Sequence, residues 1–374
     1  MDNNLFLNKV EMFAEDYIRP IAGEIDKKCS FPIEIINSLG NLGVLGATVP
    51  KEYGGLNLDP LTYGNLTESI GKACSATRTL LTVHTALVCE TLVTFGTEKQ
   101  KEKYLPLLAS GEKIGCFALS EPNVGSDARS VKTNYEKKGN EYVINGIKKW
   151  ISFAEIADIY IVIAINEGEI TAFLLEKDMP GITVEPVKGL MASRGSHTGK
   201  LTLKNVAVSK EQIISRIGNG FSFVVNSALF YGRFSVAWGG VGLAKAALEE
   251  MAKYSRKREQ FNTKIGNHQL VKRIIGDSVT KIHAGRALCE KAAGLRMKKD
   301  DLAMIETNIA KYFTSKTAVS VTADAVQILG ANGCTDNFPV ERLYRESKVL
   351  EIIEGSSQIQ EILIGNFGLK QYGR

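Results

Sequence analysis

Two glutamates stand in an apolar stretch near the end of the chain, in the segment VLEIIEGSSQIQ, Val349–Gln360. Glu351 and Glu354 are separated by two isoleucines, and Gly355 follows the second glutamate directly. A carboxylate at a surface helix end, before a helix-terminating glycine, would account for this pattern. A carboxylate in a partly dry pocket has a raised pKa and can act as a general base, so Glu354 is also a candidate catalytic base. The choice depends on whether the rest of the chain supplies a substrate site.

Two segments in the middle of the chain suit an anionic or a flat aromatic ligand. The segment FALSEPNVGSDARSVKT, residues 117–133, is a polar loop whose hydroxyl and backbone N–H groups can face an anion. The segment INGIKKWIS, residues 144–152, ends a predicted strand with Trp150 close to Ser152. An aromatic plane beside hydrogen-bonding groups suits a heteroaromatic ring. Taken singly, the two patterns also fit an ordinary loop and a half-buried core tryptophan.

A third segment, GGVGLA from Gly239 to Ala244, has the beginning of a nucleotide-binding turn. It lacks the third glycine of that fingerprint, and Gln260 and Phe261 stand where an acidic residue is expected about 20 positions later. We therefore interpret the segment as part of a helix whose small residues allow a neighbouring helix to approach closely.

The composition indicates a globular protein and argues against several classes. The 374 residues include 46 basic and 41 acidic side chains, a net charge of +5. These charges lack the dense Lys/Arg stripe that indicates nucleic-acid binding. Six scattered cysteines without a CxxC pair indicate reduced, mostly buried thiols in a cytoplasmic protein, and four dispersed histidines predict no metal site. The sequence shows no signal-peptide pattern, and its longest apolar run, YIVIAI, is too short for a membrane span.

The pattern of apolar residues divides the chain into three predicted domains. Residues 1–113 carry apolar residues at helical spacing and predict a helical domain. Residues 114–216 contain short β-branched segments separated by Gly, Asn and Pro turns, which predicts an antiparallel β domain of sandwich or barrel type. Residues 217–374 are again helical. The fold is therefore expected to be mainly α with a central β domain.

Six motifs, in this order and spacing, resemble the acyl-CoA dehydrogenase family. They are EPNVGSD, GIKKWIS, RGSHTGKLTLKNVAV, YSRKREQF, QILGANG and RLYRESKVLEIIEGSSQIQ, and the resemblance covers nearly the whole chain. It implies an N-terminal helical domain, a central β domain and a C-terminal four-helix bundle. It also implies FAD between the β domain and the bundle, usually across a subunit interface.

The resemblance implies roles for individual residues. The residues expected beside the flavin ring are Phe117, Leu119, Ser120, Trp150 and Ser152. The residues expected to reach a neighbouring subunit's FAD, with the guanidinium on the pyrophosphate, are Arg258, Phe261 and Gln269. The residues expected at the adenosine end are Gln327, Gly330, Ser356 and Gln358. The residues expected to contact the substrate are Ser126, Gly355, Arg78 and Arg233.

By the same resemblance Glu354 is the catalytic base, in a YEGT pattern that here reads IEGS. It would remove the α-proton of an acyl thioester while the β-hydrogen leaves as a hydride to FAD. The apolar neighbours Ile352 and Ile353 suit a carboxylate with a raised pKa. The thioester oxygen would be polarised by the backbone N–H of Glu354 and by a ribityl hydroxyl of FAD. Glu351 is expected on an exposed helix face.

Two arginines carry the inference about the substrate. Arg78 stands where an arginine of the glutaryl-CoA dehydrogenase branch binds the far carboxylate of the acyl group, and the stretch around Arg233 resembles the same branch. A fixed guanidinium suits a short acidic or hydroxylated acyl group better than an apolar chain. The alternative for Arg78 is a surface residue at the start of a helix.

The segment KKWISFAEIAD departs from the family, because Phe153 and Ala154 replace the usual Asn-Gly turn. With Arg78 and GRFSVAWG, this resembles acyl-carrier-protein dehydrogenases of polyketide extender-unit pathways. CoA and carrier protein share the phosphopantetheine arm, so the inner site is expected to be similar for both. The mild positive charge suits an acidic carrier protein.

We therefore predict an FAD-dependent dehydrogenase acting on a short polar or acidic acyl group of acyl carrier protein or CoA. The alternative within the family is a glutaryl-CoA-type or short-chain acyl-CoA dehydrogenase. The alternative from another class is a flavin-dependent oxidase or monooxygenase on the same fold, and a non-catalytic interaction protein is disfavoured by Glu354 and the FAD motifs. Expected partners are an electron acceptor, such as electron-transfer flavoprotein, and further copies of the chain in a homodimer or homotetramer.

Overall fold

The computed structural model describes residues 2–373 and has the predicted order of helices, sheet and helices. The helices of the first part, α1–α7, span Asn3–Phe13, Ala22–Lys28, Ile33–Asn41, Pro60–Ala73, Ser75–Leu80, Glu90–Phe95 and Glu98–Ser110. Three of them, α1, α4 and α7, begin at side-chain caps, and Asp2 caps the first by accepting a hydrogen bond from the backbone N–H of Asn4. Asp59 accepts hydrogen bonds from two backbone N–H groups in the first turn of α4, and Thr97 forms a capping box with Gln100 in α7.

A π-helical segment, Leu81–Cys89, joins α5 to α6 and is buried along its whole length. On one side Val88 packs against Gly115 in the sheet, and on the other side Leu87 approaches Gly232 in the C-terminal helices. The segment therefore lies between the sheet and the bundle. π-helical turns occur frequently at functional sites.

The middle of the chain forms one mixed sheet. Its strands β1–β8 span Gly115–Ala118, Asn134–Lys138, Glu141–Ile151, Ile159–Asn166, Glu169–Glu176, Ile182–Pro186, Gly199–Ser209 and Ile213–Ile214. The strand order is β6-β7-β3-β2-β4-β5-β8, with β1 beside β4. Most pairs are antiparallel, but β1–β4 and the one-residue β2–β4 pairing are parallel, so the prediction of an antiparallel domain is wrong at these two places.

The C-terminal part is a bundle built around the long helix α8. The helices α8–α12 span Asn226–Ser255, Gln269–Met297, Ala303–Leu329, Val340–Leu350 and Ser357–Tyr372. A short hairpin of β9 and β10, Glu259–Gln260 and Thr263–Lys264, connects the first two. A Cβ atom on Gly242 would overlap the carbonyl oxygen of Glu68 in α4, and one on Gly239 would lie 2.5 Å from Cδ of Arg78. The interpretation of GGVGLA as a close helix contact is therefore confirmed.

Two apolar cores join the three parts. One core connects the N-terminal helices to the bundle around Trp238, and the other connects α7 and the π-helical segment to the sheet. Four of the six cysteines are buried, and all six are free thiols. Between residues 2 and 373, no helix is long and apolar enough to cross a membrane.

Candidate active site

Glu354 lies in the turn that joins α11 to α12. Glu354 and Gly355 both have a left-handed backbone, with φ of +56° and +89°. Glycine adopts this conformation freely, whereas a residue with a Cβ atom needs support from its surroundings. Ser356 then begins α12 by accepting a hydrogen bond from the backbone N–H of Ile359 at 3.4 Å. One helix therefore ends, and the next begins, on either side of the carboxylate.

The carboxyl group of Glu354 packs against α8. A Cβ atom on Gly232 would overlap its Oε2 and would also lie 2.8 Å from Cδ2 of Leu87. The carboxyl group thus uses space that glycine leaves open between α8 and the π-helical segment. Oε2 is buried and has no hydrogen-bond partner within the described chain. A buried carboxylate oxygen without a partner is costly for stability, and a catalytic role is one explanation for keeping such a group.

The electrostatic surroundings of Glu354 suit a general base. Burial raises its pKa to about 7, while the positive charges of Arg233, Lys311 and Arg78 oppose the rise. A carboxylate of this pKa is ionised in part at neutral pH and is basic enough to accept a proton. The interpretation of Glu354 as a surface helix end is therefore wrong.

Glu351 has different surroundings. Its carboxylate binds Lys348 at 2.6 Å, and its side chain is 14% exposed, so it is partly buried rather than exposed as predicted. It provides a matched control for experiments on Glu354.

Three donors hold the backbone of the Glu354 turn. Arg233 Nε donates to the carbonyl oxygen of Glu354 at 3.0 Å, and Lys311 Nζ donates to that of Gly355 at 2.8 Å. Gln360 Nε2 donates to both carbonyl oxygens, at 3.3 and 3.2 Å. Sequence reasoning placed Arg233 at the substrate rather than on this turn, and it did not single out Lys311 or Gln360. The available signal was a lysine within the apolar positions of α10, whose burial the sequence pattern alone does not reveal.

Arg78 is 1% exposed and lies near this site. Its guanidinium donates to Thr82 Oγ1 at 3.0 Å and to Thr79 Oγ1 at 2.8 Å, and Thr82 in turn contacts Ser235 Oγ at 2.8 Å. No carboxylate of residues 2–373 forms an ion pair with Arg78. Burial lowers its pKa to about 10, and Glu346 and Glu354 oppose the fall. The alternative of a surface arginine is therefore wrong, because glycines at 71 and 239 leave room for a buried side chain.

The residues predicted at the flavin ring gather at one end of the sheet. Phe117 lies in β1, and Leu119 and Ser120 follow it. Lys148 in β3 is 0% exposed and donates to the carbonyl oxygen of Leu119 at 3.0 Å and to the carboxylate of Glu121 at 2.8 Å. Sequence reasoning did not single out this buried ion pair, although both residues lie in the quoted motifs.

Several further contacts fix the same loop. The backbone N–H of Lys149 donates to the carbonyl oxygen of Ser120 at 2.9 Å. Glu121 accepts backbone hydrogen bonds from Lys132 at 2.7 Å and Thr133 at 2.9 Å. Burial lowers the pKa of Lys148 to about 8, while Glu121 opposes the fall. These hydrogen bonds therefore hold the loop in one backbone conformation beside β3.

Trp150 leaves β3 in an unusual conformation. Its φ is +68°, and the pairing of β3 with β7 is irregular between Lys148 and Ile151. A β-bulge of this kind redirects a side chain. Trp150 is 51% exposed, with Lys149 Nζ 4.5 Å from its ring centre, so it is not a core residue. Ser152 follows in the turn, and Ser126 is exposed in the preceding loop.

Other predicted residues lie on the surface, and one of them, Gln358, lies in the first turn of α12 beside the Glu354 turn. Phe261, at the tip of the β9–β10 hairpin, is 91% exposed and has a left-handed backbone with φ of +55°. The remaining exposed residues of this group are Arg258, Gln269, Gln327, Gly330 and Gln358. Within one chain, the structure does not bring these residues together with the residues predicted at the flavin ring.

Three family descriptions match consecutive parts of the chain. They are the acyl-CoA dehydrogenase N-terminal domain at residues 2–112, the middle domain at 116–206 and the C-terminal domain at 218–369. The fold and the buried carboxylate thus define a flavin-dependent oxidoreductase that acts on CH–CH bonds, with FAD as cofactor. The chain belongs to the acyl-CoA dehydrogenase family.

Individual relatives cover the chain almost completely. The short-chain-specific acyl-CoA dehydrogenase of Clostridium acetobutylicum is 35% identical over 97% of both chains. A glutaryl-coenzyme A dehydrogenase in complex with glutaryl-CoA has a TM-score of 0.94 and 34% identity, covering 100% of this chain and 95% of that one. FkbI, for biosynthesis of a methoxymalonyl extender unit, has a TM-score of 0.88 and 30% identity, covering 99% of both.

A further similar chain comes from a structural study of the electron transferring flavoprotein of Acidaminococcus fermentans and flavin-based electron bifurcation. Its TM-score is 0.96 and its identity 35%, with 99% of this chain and 98% of that chain covered.

Proposed function

We propose that the protein dehydrogenates a short acyl thioester with a polar or acidic acyl end, using Glu354 as the base. The observation that carries this proposal is the buried carboxyl oxygen of Glu354, which has no partner and belongs to a group with a pKa of about 7. An ionised carboxylate in these surroundings can remove the α-proton of a thioester. FAD, when bound, accepts the β-hydrogen as a hydride.

The chain's own residues prepare this step. The donors on the carbonyl oxygens of Glu354 and Gly355 fix the turn and thereby the direction of the carboxyl group. The backbone N–H of Glu354 is assigned to the thioester oxygen, where a donor stabilises the charge that develops as the proton leaves. The loop at Leu119 and Ser120, with Trp150 and Ser152, is assigned to the flavin ring.

The acyl end is assigned to Arg78. Its guanidinium donates hydrogen bonds only to hydroxyl groups among the described residues, so a carboxylate or hydroxyl group of the substrate supplies the partner that the protein does not. The similarity to a glutaryl-CoA complex supports an acidic acyl group, and the similarity to FkbI supports an extender-unit substrate. The net charge of +5 suits an acidic carrier protein as the thioester carrier.

Two alternatives have observations of their own. The short-chain-specific relative favours an unsubstituted short acyl-CoA, for which Arg78 would have a purely structural role. The exposed Trp150 favours the flavin oxidase or monooxygenase alternative if O2 reaches the ring from that side.

We assign the surface residues around Phe261 to a contact with a neighbouring subunit. An exposed aromatic tip beside Arg258 suits a contact that completes the cofactor site of a second copy in a homodimer or homotetramer. An electron-transfer flavoprotein is the proposed acceptor, which the similar chain from the electron-bifurcation study supports.

Anaerobic flavin bleaching tests the assignment. The purified holoprotein is mixed with butyryl, glutaryl, malonyl and hydroxymalonyl thioesters on CoA and on carrier protein, and the flavin absorbance is followed. Glu354→Gln should keep FAD and lose bleaching, while Glu351→Gln should bleach as the parent does. Bleaching by Glu354→Gln at the parental rate would remove Glu354 as the base, and rapid peroxide formation in air would favour the oxidase.

A further inference from the structure

Lys311 is a buried cation near Glu354, and the proposed function gives this lysine no catalytic role. It lies in the middle of α10 and is 0% exposed. Its Nζ donates to the carbonyl oxygen of Gly355 at 2.8 Å. Across residues 2–373 it forms no ion pair with a carboxylate. A buried ammonium group without a salt bridge costs stability, so its retention calls for another role.

The bond made by Lys311 acts on the part of the chain that aims Glu354. Arg233, from α8, holds the carbonyl oxygen of Glu354, whereas Lys311, from α10, holds the next one. Glu354 and Gly355 are consecutive left-handed residues, and the two peptide groups that follow them are held from two helices, the first by Arg233 and the second by Lys311. Without Lys311 the Gly355 carbonyl oxygen would keep only the 3.2 Å bond from Gln360, and the turn would hold the Glu354 side chain less firmly in its direction.

The charge of Lys311 also acts on Glu354. The cations facing Glu354 are Arg233 of α8, Lys311 of α10 and Arg78 of α5. Lys311 itself faces Glu354, Arg233 and Glu351. Arg233 is also bound to Asn308 Oδ1 at 3.1 Å, so loss of Lys311 leaves that second cation in place. A substitution of Lys311 can therefore change the surroundings of Glu354 without removing all of the cations that face its carboxylate.

We infer that Lys311 is a positioning residue: its ammonium group holds the Gly355 carbonyl, keeps the carboxyl group of Glu354 directed at the α-carbon of the thioester and favours the ionised form of that carboxyl group. This inference rests on the proposed role of Glu354. A merely structural lysine would affect unfolding and FAD content but not the titration of Glu354.

The test compares Lys311→Met, which has neither donor nor charge, with Lys311→Gln, which has a donor but no charge. Lys316→Met is the control, since Lys316 lies on the same helix and is half exposed. The bleaching rate at saturating thioester is measured from pH 5.5 to 9, with FAD content and KM. An infrared titration of the Glu354 carboxyl stretch, taken as a difference from Glu354→Gln, needs no substrate.

We expect Lys311→Met to bleach about tenfold more slowly with KM and FAD content nearly unchanged. The infrared midpoint and the acid limb of the rate profile should both move up by roughly half to one pH unit, because a cation next to the carboxylate is lost. Lys311→Gln should recover part of the rate but keep the shifted midpoint.

The outcomes separate the two proposals. If the parent and Lys316→Met fail to bleach with every thioester, the proposed function is wrong, and the infrared midpoints still report on Lys311. If the parent bleaches and both Lys311 variants keep its rate and midpoint, the inference is wrong. If Lys311→Met does not fold, the same criteria apply to Lys311→Gln.

Discussion

The carboxyl group of Glu354 lies directly against Gly232, so closely that a Cβ atom on this glycine would overlap Oε2 and lie 2.7 Å from Cδ. The segment from Tyr231 to Arg233 therefore acts on Glu354 in two ways. The glycine gives the carboxyl group its space, and the next residue, Arg233, donates to the Glu354 carbonyl oxygen at 3.0 Å. One turn of α8 thus sets both the position and the backbone geometry of the proposed base.

The first prediction is that Gly232→Ala displaces the carboxyl group. The added methyl group cannot fit without movement of the Glu354 side chain or Leu87, and a displacement of about 1 Å at a reacting group can lower a rate about a hundredfold. Anaerobic bleaching should fall by about that factor while FAD content is unchanged. The control is Gly294→Ala in α9, where a Cβ atom meets nothing within 4 Å. Parental bleaching by Gly232→Ala would contradict the placement of Glu354.

The second prediction concerns pH and stability. Burial raises the pKa of Glu354 to about 7, against an unfolded value of 4.5, so the folded protein holds a proton that the unfolded chain has lost between these values. The contribution of the protonated Glu354 carboxyl group to the free energy of unfolding is fully present below pH 4.5. It decreases as the pH rises through 7, by on the order of 3 kcal/mol in all. Glu354→Gln removes this dependence. Denaturant unfolding of the apoprotein at pH 8 should find this variant more stable than the parent.

At pH 5 the same comparison should find a much smaller difference, on the order of 1 kcal/mol, since the parental carboxyl group is then protonated in the folded state but already largely ionised in the unfolded chain. Glu351→Gln serves as the control, because its carboxylate is paired with Lys348. A stability difference between Glu354→Gln and the parent that does not change from pH 5 to pH 8 would mean that Glu354 is not buried in its neutral form.

The order of helices, sheet and helices could be predicted from sequence because each part has its own periodicity. The parallel placement of β1 beside β4 could not, since alternation within a strand carries no information about its neighbour's direction. The left-handed backbone of Trp150 was likewise invisible, because the bulge that causes it depends on pairing with a distant strand.

The candidate site likewise contains residues that could be predicted from the sequence and residues that could not. Glu354 stands out in an apolar run, so it could be singled out locally as a candidate, whereas its proposed role came from the resemblance of the motifs to the family. Arg78 and Lys311 are buried only because other elements surround them: Gly239 of α8 and Gly71 of α4 leave room for Arg78, and the Glu354 turn presents a carbonyl oxygen to Lys311. Amphipathic spacing cannot distinguish such residues from surface cations, and tertiary contacts decide.

The third prediction is that Arg78 sets the preference for the acyl end. Arg78→Met should lower kcat/KM for a glutaryl or malonyl thioester by about a hundredfold or more, since a buried charge pair with the substrate is lost. The butyryl thioester, which offers no anion, should lose less than about tenfold. Equal losses on both substrates would show that Arg78 supports the helix packing and does not select the substrate.

The fourth prediction is that the buried pair of Lys148 and Glu121 holds the loop assigned to the flavin ring. Lys148→Met leaves the carboxylate of Glu121 buried without its cation, which costs about 3–5 kcal/mol of unfolding free energy. It also frees the carbonyl oxygen of Leu119, so FAD should bind more weakly as well. Equilibrium unfolding of the apoprotein and FAD titration measure the two effects separately.

Adding Glu121→Gln to Lys148→Met removes the unpaired charge and should restore part of the stability. It should not restore FAD affinity, because the donor to Leu119 is still absent. Lys137→Met, at an exposed position in β2 of the same sheet, is the control and should change neither quantity. If the double variant recovers FAD affinity together with stability, Lys148 acts on the cofactor site only through the fold, and its bond to Leu119 has no separate effect on flavin binding.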